Sequence, residues 1–360
     1  MIKRVVVLLL IFTFSLGNLG AKEDDKKCNN RVIFSPLVFY SPETRIAFGA
    51  AGSLIFRAAG CEGETRPSSI SPLVLYTQEK QFKASLNTGV YFKDNNYRVE
   101  AEIKFEKYPN KFYGIGPDTP EANKESFTPK SLSIQISVYK KLFKGFNIGL
   151  GYHFMDWLIT ETTAGGQLAP GTIPGSDSGI VSGLRFLLER DTRDHIFYPM
   201  KGDLFKFDAR FYLKFLGGTY DFTSFTLDLR KYFTLFSTHV VALQSLVKIQ
   251  GGTVPFLHLA QMGGQYTMRG YYEGRYRDKN LLAFQAEYRL PLFWRFGLVG
   301  FAGFANVAGK FNRLDLGDLK SSYGAGLRFT FSKNEKIQIR FDMGFGEGTS
   351  GFYASIYEAF

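Results

Sequence analysis

Tyr97–Lys107 reads YRVEAEIKFEK, a run in which Tyr97, Val99, Ala101, Ile103 and Phe105 alternate strictly with Arg98, Glu100, Glu102, Lys104 and Glu106. A helix would bring apolar residues back every three or four positions. A repeat of two is that of a β-strand with one apolar and one charged face. The same alternation sets Leu132, Ile134, Ile136 and Val138 against Ser131, Ser133, Gln135 and Ser137. It returns in Phe205, Phe207, Ala209 and Phe211 against Lys206, Asp208, Arg210 and Tyr212, and in Ile337, Ile339, Phe341 and Met343 against Gln338, Arg340 and Asp342. With 37 Phe, 20 Tyr and 38 Gly in 360 residues, the composition favours an all-β protein.

Alternation alone does not say which face is outside. In a soluble sandwich the apolar face packs inward on a second sheet. In a transmembrane barrel it meets lipid, and the charged face lines a wet lumen. The start of the chain bears on the choice. Lys3 and Arg4 precede the apolar run from Val5 to Leu16, and Gly20-Ala21 stands before the charged Lys22-Glu23-Asp24-Asp25. This is the layout of a secretory signal cleaved after Ala21. The run is shorter than the roughly 20 residues of a spanning helix, and no later stretch comes closer without a charge. The expected organisation is a signal peptide at 1–21, a short periplasmic segment at 22–32 and an outer-membrane β-barrel at 33–360.

Periodic runs between Ile33 and Phe360 give about 16 strands in a single antiparallel barrel, an even number as such barrels require. Short connections at Lys93–Asn96 and Ser332–Glu335 fall on the periplasmic side. Longer ones at 108–129, 159–178 and 251–279 fall outside, and the Gly-, Pro- and Ser-rich 164–178 is expected to be mobile. The last strand is expected to run from Phe352 to Phe360, with Phe360 serving as a C-terminal signal for the barrel assembly machinery. Cys28 and Cys61 would lie at the open end of the first hairpin, where they either pair, at about 3 kcal/mol of loop entropy, or remain free thiols. The formal net charge of +11 does not imply nucleic acid in an exported chain. Outer-membrane lipid and lipopolysaccharide are the expected anionic partners.

Between two such strands lies Gln261–Asp278, QMGGQYTMRGYYEGRYRD. Its tetrad Met268-Arg269-Gly270-Tyr271, with Gly263-Gly264 before it and Gly274-Arg275-Tyr276 after it, resembles the BamA/TamA (bacterial surface antigen) family of outer-membrane barrels. Further likeness lies in Tyr40-Ser41-Pro42-Glu43-Thr44, in Asp191-Thr192-Arg193-Asp194 and in Ala286-Glu287-Tyr288-Arg289-Leu290. The resemblance implies that this sixth extracellular loop folds inward, its Arg meeting acidic groups on the inner wall. Strand parity turns Glu287 and Asp342 into the lumen, so Glu287 is the expected partner of Arg269 and Asp342 the second choice. A further family anchor, Phe-x-Asp, is replaced by Phe301-Ala302-Gly303. The short 22–32 segment leaves no room for periplasmic POTRA domains, which implies a short member that works with a separate periplasmic protein.

The function implied is assistance to insertion or translocation of protein or lipid at the outer membrane, through a weak seam between first and last strands. The alternative is a passive channel or structural barrel with a plug loop. No catalytic residues, metal ligands or cofactors are expected. His153, His195, His239 and His258 show no nucleophile arrangement; His195 has Asp194 beside it but no serine to complete a triad.

Overall fold

The computed structural model describes residues 30–58, 65–143, 145–332 and 337–360. The expected signal peptide and both cysteines lie outside the described residues. Among the described residues nineteen strands form in chain order. The first ten are β1 (Arg31–Ser41), β2 (Arg45–Phe56), β3 (Ser68–Thr77), β4 (Phe82–Phe92), β5 (Tyr97–Lys107), β6 (Asn110–Phe112), β7 (Glu125–Lys141), β8 (Phe146–Thr162), β9 (Ser178–Asp191) and β10 (Gly202–Tyr212). The rest are β11 (Phe222–Leu235), β12 (His239–Gly252), β13 (Ala260–Met262), β14 (Tyr276–Asp278), β15 (Asn280–Pro291), β16 (Phe296–Ala308), β17 (Lys320–Ser332), β18 (Ile337–Gly346) and β19 (Thr349–Ile356). β6 continues the edge of β5 along β7, while β13 and β14 pair with each other inside the long connection from β12 to β15 and stand outside the ring. The remaining 16 strands form one closed antiparallel barrel. No helix of the described residues is long and apolar enough to cross a membrane.

The accessible faces settle the orientation of the sheet. On β7, Leu132, Ile134, Ile136 and Val138 are exposed, whereas Ser131, Ser133 and Ser137 are buried. On β16, Phe296, Leu298 and Phe304 face outward and Val299 and Phe301 inward. A sandwich has the reverse arrangement. Apolar outside and polar inside is what hydrocarbon around a wet lumen selects, and the protein is an outer-membrane barrel.

On one side the connections at 93–96, 236–238 and 292–295 are short and on the other those at 108–124, 163–177 and 253–279 are long, although the turns at 42–44, 78–81 and 347–348 on the second side are tight and the 192–201 connection on the first is not. At 93–96 the tight turn is built from Lys93, Asp94 and Asn95, all at positive φ. The long loops cap the barrel. Phe112, Phe127, Trp157, Leu168, Phe222 and Phe256 form one buried cluster, so the segment 163–177 is held through Leu168. The 108–124 connection joins loop six, residues 253–279, by a bridge between Gly116 and Arg277.

Closure of the ring is uneven. β1 pairs with β2 from Arg31↔Ile55 through Ser41↔Arg45, and β18 with β19 from Ile339↔Ile356 through Gly346↔Thr349. Between β1 and β19 the described residues show one ladder pair, Tyr40↔Ala354, beside which Tyr40 packs on Phe352. The last strand stops at Ile356 and does not run to Phe360 as its sequence suggests. Tyr357 takes a left-handed φ of 67°, and Glu358, Ala359 and Phe360 turn into the barrel, where they are buried. Phe360 and Ala359 pack on Tyr232 and Ala242, and Phe197 stacks on Tyr357 with ring centroids 4.2 Å apart.

Candidate functional site

Loop six connects the eleventh and twelfth strands of the ring and brings Met268–Tyr271 against the inner wall. Arg269 is 1% exposed. Its Nη2 lies 2.5 Å from Glu287 Oε1 on β15 and its Nη1 2.6 Å from Asp342 Oδ2 on β18. The two carboxylates are thus spanned by one planar fork. Each reaches the lumen because its strand parity turns it inward, Glu287 between outward Ala286 and Tyr288, Asp342 between Phe341 and Met343. The ring of Phe301 on β16 lies under the guanidinium, 3.6 Å from its centre. Phe301 belongs to the stretch that lacks the family Asp, and Asp342 supplies a second carboxylate from β18.

The backbone of the tetrad is held as firmly as its Arg. Gly270 N–H donates to Tyr353 Oη at 3.0 Å, and Thr349 Oγ1 to Gly270 O at 3.1 Å. Tyr271 Oη donates to Ser321 O at 2.9 Å and accepts from Glu347 N–H at 2.9 Å. Two glycines make the approach feasible. Gly270 sits at φ 110°, a conformation that L side chains rarely adopt, and a Cβ on Gly344 would stand 2.6 Å from the Arg269 carbonyl carbon. Met268 fills a pocket with Ala283, Ala305 and Val307. At the first hairpin, Glu43 accepts the Glu273 N–H at 2.9 Å, which ties the loop to the start of the chain as well as its end.

The sequence reading did not reach the rest of the charge cluster. Arg289 Nη2 meets Glu287 Oε2 at 2.8 Å, Arg328 Nη1 meets Asp342 Oδ1 at 2.5 Å, and Arg340 Nη1 meets Asp342 Oδ2 at 3.1 Å. Glu358, on the inward-turned tail, accepts from Arg328 Nε at 2.9 Å. Arg289 Nη2 also donates to Phe360 O at 2.9 Å. Four guanidiniums and three carboxylates therefore join loop six, β15, β17, β18 and the tail. Such a cluster is costly to desolvate and harmful to break, so it specifies one arrangement rather than adding net stability. Parity could have flagged Arg289, Arg328 and Arg340 as inward-facing. Nothing local pointed to Glu358.

The arrangement is one for holding a loop, and no described group of His, Cys, Asp and Glu is set to bind a metal. His195 and Asp194 serve the periplasmic turn: His195 Nδ1 accepts the N–H groups of Phe197 and Tyr198, and Asp194 Oδ1 accepts those of Met200 and Lys201. Ser133 Oγ does lie 3.1 Å from His153 Nε2, a pairing the sequence reading missed. The other ring nitrogen of His153 faces Tyr212 Oη at 2.7 Å in place of the carboxylate of a triad. His258, in the 3₁₀ turn Phe256–His258 of loop six, is caged by Trp157, Tyr212 and Phe222. That burial, with His153, Lys248 and Arg210 near, holds its imidazole well below the usual histidine range.

Comparison with known proteins bears on this site. Residues 66–360 match the Omp85 superfamily domain. Among solved structures, BamA from Haemophilus ducreyi lacking POTRA domains 1–3 superposes with a TM-score of 0.61 at 13% identity, covering 97% of this chain and 75% of that one. CdiB from Acinetobacter baumannii gives 0.59 at 12% identity over 90% of this chain and 59% of that one. CdiB from Escherichia coli gives 0.57 at 10% identity over 98% and 68%. At these identities the likeness is one of fold. No curated protein sequence matches the chain.

Proposed function

Because the chain belongs to the Omp85 superfamily, we propose that its barrel assists insertion or translocation of protein or lipid at the outer membrane by parting the seam between β1 and β19. The observation that carries this reading is the single register pair at that seam, Tyr40↔Ala354, in a ring whose other neighbours pair along most of their length. Below it the inner turn of the tail leaves a cavity of about 360 Å³ lined by Leu37, Phe39, Ile339, Ile356 and Tyr357. A strand edge with unused N–H and C=O groups can pair with an incoming strand, and separating one pair costs far less than separating a full ladder. A passive or structural barrel plugged by loop six is the second reading, favoured by the dense capping cluster and the buried Arg269.

The two separate in one experiment. Tyr40→Cys with Ala354→Cys, in a background where Cys28 and Cys61 are serine, places a disulfide across the seam. In proteoliposomes, the barrel should speed folding of a denatured outer-membrane protein, the oxidised variant should fall to the rate of empty liposomes, and reductant should restore it. Equal rates for oxidised and reduced protein would sink the seam reading and leave the plugged barrel.

A further inference from the structure

The lipid-facing surface is not uniformly bulky. Across β10, β11, β12, β15 and β16 it is depressed into an apolar cavity of about 550 Å³. The register explains the dent. Asp203, Lys231, Leu243, Ala286 and Ala302 form one lateral row, and Phe205, Leu229, Ser245, Phe284 and Phe304 the next. Ser245, Ala286 and Ala302 make a low floor. Leu229, Leu243, Phe284 and Phe304 stand exposed around it as walls. Four inter-strand steps give the groove a length of roughly 19 Å, at about 4.8 Å each.

One end of the groove is charged. Arg190 Nη1 lies 2.8 Å from Asp203 Oδ1 and Lys231 Nζ 3.2 Å from Asp203 Oδ2. The Arg190 side chain remains 37% exposed and that of Lys231 46%. Two cations against one carboxylate leave a net positive end with unused donors. This end is periplasmic, since Asp203 comes just after the 192–201 turn. The loop-six cluster, on the inner face, uses none of these groups.

We infer that this groove binds one phospholipid of the periplasmic leaflet, an acyl chain lying over Ser245, Ala286 and Ala302 and the phosphate meeting Lys231 and Arg190. Within the hydrocarbon layer only an acyl chain is present to fill an apolar dent. A phosphate accepts well from both a guanidinium and an ammonium. The position of the charge selects the source: lipopolysaccharide carries its phosphates at the opposite surface, where this groove has no cation.

The test uses the whole barrel purified in mild detergent and native mass spectrometry against added phosphatidylglycerol or the diacylglycerol of the same chains. The native protein should retain one phosphatidylglycerol. Ala286→Leu with Ala302→Leu fills the floor with apolar side chains and should lower retention about tenfold, as loss of one or two buried methylenes implies. Lys231→Gln should weaken phosphatidylglycerol about fivefold and leave diacylglycerol unchanged. Heat-dependent gel mobility checks that each variant folds, Lys231 being a half-exposed side chain outside the inner charge cluster. Phosphatidylglycerol retention unaltered by Lys231→Gln would overturn the site, as would lipopolysaccharide retained in its place.

Discussion

Arg269 shows how much one residue's neighbours depend on distant strands. The alternation of β15 and β18 turns Glu287 and Asp342 inward, and that much is legible from a few residues on either side. That both carboxylates meet the same guanidinium depends on barrel closure, which sets β15 and β18 around one lumen. His258 is the opposite case, a loop histidine whose sequence neighbours Leu257 and Leu259 suggest nothing of its cage. Its Nε2 is shielded and has no hydrogen-bond partner among the described residues. Its imidazole titrates well below the usual value in the fold, so the unfolded chain binds a proton that the folded one refuses. Stability from this site is therefore full above about pH 6.5 and is lost as pH falls below it. Chemical denaturation of the refolded barrel should show native protein losing about 2 kcal/mol more than His258→Phe between about pH 7.5 and about pH 5. Equal pH slopes in the two proteins would contradict the cage.

At the scale of the element, the strands were legible wherever a face was chemically pure. Ser131–Lys140 has serines and a glutamine opposite aliphatic residues, and β7 runs through it without a break in parity. The end of β19 was not legible. Phe352–Phe360 has no Gly or Pro to end a strand, and its inward turn comes instead with Glu358 meeting Arg328 on β17 and Phe360 packing on Tyr232 of β11. β7 also offers a direct check on which face meets lipid. Ile136, exposed near the middle of its apolar face, should cost about 2–4 kcal/mol when changed to Lys in a lipid-refolded barrel. The neighbouring Gln135→Lys, on the wet side, should cost well under half of that. Urea titrations in lipid vesicles would measure both, and a reversed order would mean the sheet faces the other way.

For the whole molecule, the 16-stranded ring was expected from periodicity and turn spacing and the inward loop six from family resemblance, whereas the inward tail and the capping cluster were not. Loop six, the capping cluster of Phe112, Leu168 and Phe256, and the inward tail together occupy both ends of the lumen. Planar-bilayer recordings should therefore give a small, flickering conductance for the native barrel. Arg269→Ala and Glu287→Ala should each make it large and unstable, because either change leaves unpaired charge at the same buried junction. A wide, steady pore indifferent to both would show that the loop does not obstruct the path.

The charge junction also constrains the order in which the barrel can be built. Its members come from loop six, β15, β17, β18 and residue 358, so no stretch shorter than 269–358 can complete it. A sheet that enters the bilayer before its final strands are placed carries Arg269, Arg289, Arg328 and Arg340 without their full complement of acids. In such an intermediate buried guanidiniums stay short of partners, a cost that lifts only when the last segment arrives. Completion of the inner wall is thereby tied to the arrival of the last residues, since Glu358 is a partner of both Arg328 and Arg289.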